Sequence, residues 1–299
     1  MIASPAIQTV DLSKRYGSVQ ALEGLNRTVQ QGEVFGFLGP NGAGKTTTIR
    51  VLLDLIRPSR GRAAVLGLDC RRDSLAIRRR VGYLPGDVAV YRPLTGEGLL
   101  AFLDHLRGGG CLGRGRELAE RLDLDLSRHI GEYSTGMVQK LGLIIALMPR
   151  PDLLILDEPT KGLDPLVQVE IYNILSEERD RGCTVFFSSH ILPEVERVCD
   201  RVGILRQGRL VAVEDVQAIR HKRVRILTVS FRQPVPREAL RLEGIEVRQM
   251  DGRQATLAVY GHVPDLLRRL AELPVEDFEF PEATLEDTFM TFYSGETEP

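Results

Sequence analysis

The chain has 299 residues, which at roughly 150 residues per domain predicts two domains, with room for a large core in at least one. Lysine and arginine total 39 against 41 aspartates and glutamates, a formal net charge of -2, and this balance excludes a nucleic-acid binder of the usual basic kind. With 43% hydrophobic and 27% charged residues the composition excludes a disordered chain, and the longest apolar run, residues 141–148, falls far short of the roughly 20 residues a membrane-spanning helix needs.

Residues 1–17 lack the charged start, apolar stretch and cleavage site of a secretory signal, so the expected compartment is the cytosol. Cys70, Cys111, Cys183 and Cys199 form no CxxC pair and have no histidines at metal-ligand spacing, which predicts four reduced, buried thiols and no zinc site.

Along the chain, residues 33–38 (EVFGFL) read as a buried strand, and residues 46–55 as the helix that follows it. Residues 87–150 carry leucines at helical spacing, a glycine-rich segment at 108–115 and no convincing strand, so they are predicted to be an inserted helical subdomain. Residues 152–156 (DLLIL), 184–187 (TVFF) and 202–205 (VGIL) read as further buried strands. Between the first two, residues 167–181 place Val167, Ile171, Ile174, Leu175 and Glu178 at helical spacing. Strands alternating with helices predict a mainly parallel sheet covered on both faces.

The pattern changes at about residue 220. Strands are expected at 224–231, 245–250, 254–260 and 275–280, with Asp251-Gly252 as a hairpin turn. Helices are expected at 237–240, 263–273 and 284–292, an order that suggests a small ferredoxin-like α+β module. The predicted domains are therefore 1–219 and 220–299.

Gly39, Pro40, Asn41, Gly42, Ala43, Gly44, Lys45 and Thr46 fit the pattern G-x-x-x-x-G-K-[ST] between a strand and a helix, with Thr47 next in line. Glycines let consecutive backbone N–H groups curl into an anion nest, and the helix N-terminus adds partial positive charge. Lys45 supplies a point charge for the β- and γ-phosphates and Thr46 a hydroxyl for Mg²⁺. A second element, residues 153–159 (LLILDEP), ends an apolar strand in two carboxylates. Asp157 is expected to hold Mg²⁺, directly or through water, and Glu158 to orient and deprotonate the attacking water.

With these two elements in place, the sequence resembles the ATP-binding subunit of ABC transporters over roughly residues 6–219, implying a P-loop NTPase core. Tyr16, in KRYG, matches the aromatic that stacks on adenine. Residues 133–140 (YSTGMVQK) are similar to the family signature, whose Ser134 and Gly136 are implied to meet the γ-phosphate of ATP in an opposite subunit. Residues 162–165 (GLDP) match the D-loop, with Asp164, and Ser188-Ser189-His190 the switch histidine. The signature has Thr135 and Tyr133 where glycine and leucine are usual. Residues 81–87 (VGYLPGD) resemble the Q-loop, with Gly86 where glutamine is usual. Two readings of that departure stay open: water or Asp87 completes the metal shell and the backbone still moves as a lever, or coupling at this loop is looser.

The resemblance implies an ATPase using ATP and Mg²⁺, a head-to-tail homodimer in the ATP-bound state, and a separate membrane permease docked near residues 83–103. It is closest in kind to the ATPases of bacterial ABC-2 type exporters, peripheral on the inner face of the cell membrane. The alternative is a non-transport ABC ATPase acting on nucleic acid or the ribosome. Chromosome-maintenance members need a long coiled-coil insertion for which this chain has no room, and no nucleic-acid partner is expected. The last 80 residues are expected to be regulatory or dimer-stabilising, or to bind a ligand that gates the ATPase.

Overall fold

A computed structural model describes residues 4–221, 225–260 and 262–280. The expected helix at 284–292 lies outside the described residues. The chain divides between Val216 and Gln217 into two compact units.

The first unit opens with strands β1 (Ile7–Tyr16) and β2 (Val19–Val29), then β3 (Val34–Leu38), helix α1 (Lys45–Leu52), β4 (Arg60–Val65), β5 (Leu68–Asp69), α2 (Ser74–Arg80) and β6 (Val81–Leu84). Helices α3 (Gly96–Leu106), α4 (Leu112–Arg121) and α5 (Thr135–Leu147) follow, with a 3₁₀ turn at Ile130–Glu132. Then come β7 (Leu153–Asp157), α6 (Pro165–Asp180), β8 (Thr184–Ser189), α7 (Leu192–Val198), β9 (Arg201–Arg206), β10 (Arg209–Asp215) and α8 (Val216–His221), the last running across the division.

Strands β9, β3, β8, β7 and β6 pair parallel in that order, with β10 antiparallel at one edge. Every residue of β3, β7 and β8 is buried, as expected of strands covered on both faces. A second, antiparallel sheet orders β2-β1-β4-β5, and its inner residues Leu12, Leu25 and Val29 join Phe35, Phe37 and Phe186 in one core. This sheet is absent from the elements expected of the sequence. The register of β1 shifts between Thr9 and Leu12, Leu12 and Lys14, and Lys14 and Arg15, so bulges break the period of two that would reveal it.

The helix expected at 46–55 stops at Leu52, and Asp54 has a positive φ of 52°. Helix α6 begins earlier than the apolar spacing suggested, because Asp164 caps it and Pro165 occupies its first turn. Within residues 87–150 the regular elements are α3, α4, α5 and the 3₁₀ turn, joined by loops. Helix α4 is tied to α6 by the buried pair Arg114–Glu178 and by Arg121 reaching both Glu170 and Glu177 at 2.7 Å. Cys70, Cys183 and Cys199 are buried, but Cys111, preceding α4, is only half-buried, which corrects the expectation of four buried thiols.

The second unit contains β11 (Arg225–Phe231), a 3₁₀ turn (Arg237–Leu240), β12 (Ile245–Asp251), β13 (Gln254–Val259), α9 (Val263–Ala271) and β14 (Val275–Glu279). Its sheet is antiparallel in the order β12-β13-β11-β14. The first helix of the ferredoxin-like order shrinks to one 3₁₀ turn because Pro234 and Pro236 occupy the short connection from β11 to β12. Phe231, Leu240, Leu257, Leu266 and Leu270 form a core of its own.

Candidate active site

The carboxyl ends of β3, β7 and β8 lie side by side, and the loops leaving them carry the phosphate-site residues. Leu38 pairs with Ser189 and Asp157 with Ser188 in the parallel ladders, so the segment 39–44, Glu158 and His190 emerge together. This is where ligands bind in open α/β sheets.

A cavity of about 140 Å³ there is lined by Asn41, Gly42, Gly44, Lys45, Thr46 and Thr47, with Ala21 and Glu158. Lys45 is 5% exposed. Its Nζ donates to the carbonyls of Gly39 at 2.6 Å and Pro40 at 3.2 Å and lies 3.8 Å from Glu158 Oε1. Burial pushes its ammonium down, against the opposing pull of the Glu158 and Asp157 carboxylates. Thr46 Oγ1 donates to Asp157 Oδ2 at 2.7 Å. The other Asp157 oxygen accepts from Ser188 Oγ at 2.5 Å.

Glu158 has φ +51°, a left-handed conformation uncommon for a residue with a Cβ. Its backbone N–H donates to Ser188 O at 3.1 Å. Its Oε1 is 2.9 Å from His190 Nδ1. One carboxylate oxygen thus faces both Lys45 and His190.

Tyr16, Ser134, Gly136 and Asp164 do not line this cavity. Tyr16 is largely exposed, with Lys14 Nζ 4.8 Å from its ring centre. Ser134 caps α5, its Oγ accepting from Met137 N at 3.3 Å. Gly136 sits against the D-loop, where an added Cβ would lie 3.3 Å from Gly162 O. Asp164 accepts from Leu166 N and Val167 N. Ser134 and Asp164 thus cap helix starts outside the lining of this cavity.

Three further residues contribute. Ser188, next to the switch histidine's strand end, holds Asp157. Gln139, buried in the signature helix, donates from Nε2 to the carbonyls of Glu158 and Pro159, both at 3.2 Å. Glu194, buried in α7, bonds Thr160 and Ser189. Apart from Ser189–Glu194, five residues apart, these bonds span 19 to 34 residues of chain, a pairing that leaves no local pattern.

The ABC transporter family pattern matches residues 22–161. The chain is 34% identical to the bacitracin transport ATP-binding protein BcrA of Bacillus licheniformis, over 98% of this chain and 99% of the relative. The chain belongs to the ABC transporter ATP-binding family. It is also 37% identical to the daunorubicin resistance ATP-binding protein DrrA3 of Streptomyces coeruleorubidus, over 92% of this chain and 85% of that one. Among solved structures, an ATP-binding subunit of an ABC transporter superposes with a TM-score of 0.67 at 33% identity, covering 72% of this chain and 92% of the other. A dimeric bacterial ABC transporter cassette superposes with a TM-score of 0.65 at 22% identity, over 70% and 98%, and supports the fold. The cassette is an ATP-hydrolysing α/β P-loop unit with a helical insertion and a small C-terminal α+β module.

Proposed function

We propose that this ATPase drives export through a separate membrane permease, and that two copies join head to tail around ATP. The observation that carries the reading is the convergence of Lys45, Thr46, Asp157, Glu158 and His190 at three strand ends, while Ser134 and Gly136 stand at a different helix start with no phosphate of their own. A helix N-terminus is a ready anion site, so a second copy's signature completes the phosphate shell.

In the assembled site the loop amides and Lys45 hold the β- and γ-phosphates and neutralise developing charge. Thr46 Oγ1 and Asp157 Oδ2, a hydroxyl and a carboxylate oxygen 2.7 Å apart, suit Mg²⁺, which takes oxygen ligands and supplies charge neutralisation at the phosphates. Glu158 accepts the proton of the attacking water. His190, holding Glu158 Oε1 through Nδ1, positions the γ-phosphate. Tyr16 offers its exposed face to adenine. Export is supported by relatives named for bacitracin transport and daunorubicin resistance. Among the described residues no helix is long and apolar enough to cross a membrane, which fits a subunit held at the inner membrane face by its permease. Tyr91 and Phe102, exposed large hydrophobic residues within 83–103, suit the docking surface.

Replacing Glu158 with Gln tests the reading. ATP binding is retained and turnover falls about a thousandfold, with an ATP-dependent dimer accumulating on size-exclusion chromatography. Wild-type turnover in that variant removes Glu158 from its role.

A further inference from the structure

Helix α7 follows the switch histidine and contributes Leu192, Val195 and Val198 to the interior, yet among these buried positions stands Glu194, 5% exposed. A carboxyl group removed from water is costly unless every oxygen finds a donor. Both do. Thr160 Oγ1 donates to Glu194 Oε1 at 2.5 Å and Ser189 Oγ donates to Glu194 Oε2 at 2.6 Å. Thr160 and Ser189 are themselves buried. The Tyr172 hydroxyl of α6 is a further hydrogen-bonding neighbour, and burial, with Glu194 adding to it, pushes that phenol up.

The partners of Glu194 are not scattered. Thr160 lies in the tight turn that follows Glu158, closed by Lys161 N donating to Glu158 O and Leu163 N to Thr160 O. Ser189 immediately precedes His190 and also accepts from Ile191 N at 2.9 Å, fixing the turn into α7. One carboxyl group therefore ties the loop that bears Glu158 to the loop that bears His190. Given the roles proposed for those two residues, we infer that Glu194 is a positioning residue for hydrolysis, a buried bridge that holds Glu158 and His190 at their mutual distance. Its hydrogen bonds reach Thr160, Ser189 and Tyr172 and not the phosphate loop. Its loss frees two loops to shift independently, and displacements of about 1 Å in a reacting constellation cost on the order of a hundredfold in rate.

The test uses single-turnover and steady-state ATP hydrolysis by the full chain. Glu194→Ala lowers kcat about thirtyfold while KM for ATP stays within about threefold, because the phosphate cradle is untouched. Glu194→Gln, which keeps an acceptor for one hydroxyl, recovers part of the loss. Thr160→Val and Ser189→Ala each cut one arm of the bridge and each reduce kcat, and they decide the matter if Glu194→Ala does not fold. In a His190→Ala background, Glu194→Ala costs less than about threefold more, since residues acting through one another do not add. An unchanged kcat in Glu194→Ala, a KM rising in step with the fall in kcat, or a full thirtyfold loss in the His190→Ala background overturns the bridge. If His190→Ala alone keeps full kcat, the role of His190 falls and the bridge falls with it. If His190→Ala is impaired and Glu194→Ala is not, the bridge alone falls.

Discussion

Strands β3, β7 and β8 are buried along their whole length, whereas β11 alternates buried and half-buried residues and β12 alternates half-buried with exposed ones. The first sheet is covered by helices and a second sheet, while the second unit's sheet buries one face against Leu240, Leu266 and Leu270. A strand covered on both faces can present chemistry only where it ends. Asp157, Glu158, Ser188 and His190 all stand at or just past such ends, and Thr46 lies in the first turn of the helix that follows one. The second unit's sheet has an open face to decorate, and none of the site residues lies on it.

Glycine separates the two regions in the same way, and substitution is the sharpest means of testing the difference. In β6, an added Cβ at Gly82 would lie 2.1 Å from the Ala146 carbonyl oxygen and 2.8 Å from Leu154 Cδ2. A helix carbonyl has no room to withdraw, so Gly82→Ala is expected to destabilise by about 3 kcal/mol. In the β12–β13 hairpin, Gly252 has φ +54° and open space around the Cβ position. Gly252→Ala meets only backbone strain, about 1 kcal/mol. Native-state hydrogen exchange read separately on β6 and on the hairpin measures each cost locally. Equal costs would break the contrast between close packing in one region and turn geometry in the other.

What could be read from the sequence follows the same division. The phosphate loop is one uninterrupted segment whose function requires consecutive amides, and the Asp157-Glu158 pair ends an unbroken apolar strand, so both announce themselves locally. Buried parallel strands announce themselves as apolar runs, which is why β3, β7, β8 and β9 were legible. The edge strand β6 was not: its four residues directly follow α2 without a turn, and the stretch reads first as a loop motif. The irregular sheet of β1 and β2 was hidden by its bulges. Gln139 and Glu194 were hidden for a different reason. A glutamine in a helix and a glutamate in a helix are ordinary surface residues until the fold buries them against Glu158, Thr160 and Ser189.

The smallest expected effect concerns the end of β6. Two residues beyond β6, Gly86 stands where the family usually has glutamine, and a Cβ there would sit 3.3 Å from Asp157 Oδ2, the oxygen bonded to Thr46. A side chain at this position therefore enters the site directly. In its absence the loop is linked to the turn after Glu158 by Lys161, whose Nζ lies 3.2 Å from Asp87 Oδ1 and 3.5 Å from Gly86 O. Asp87 is 98% and Lys161 54% exposed, so this link is screened by water and weak. Gly86→Gln adds an amide beside Asp157, whose carboxylate gives way slightly to the new Cβ. We expect the ratio of permease-stimulated to basal ATPase to rise about threefold, the scale of one additional net hydrogen bond. An unchanged ratio in the reconstituted complex would mean that the backbone lever alone transmits the nucleotide state, and that the end of β6 differs from its neighbours in chemistry without differing in function.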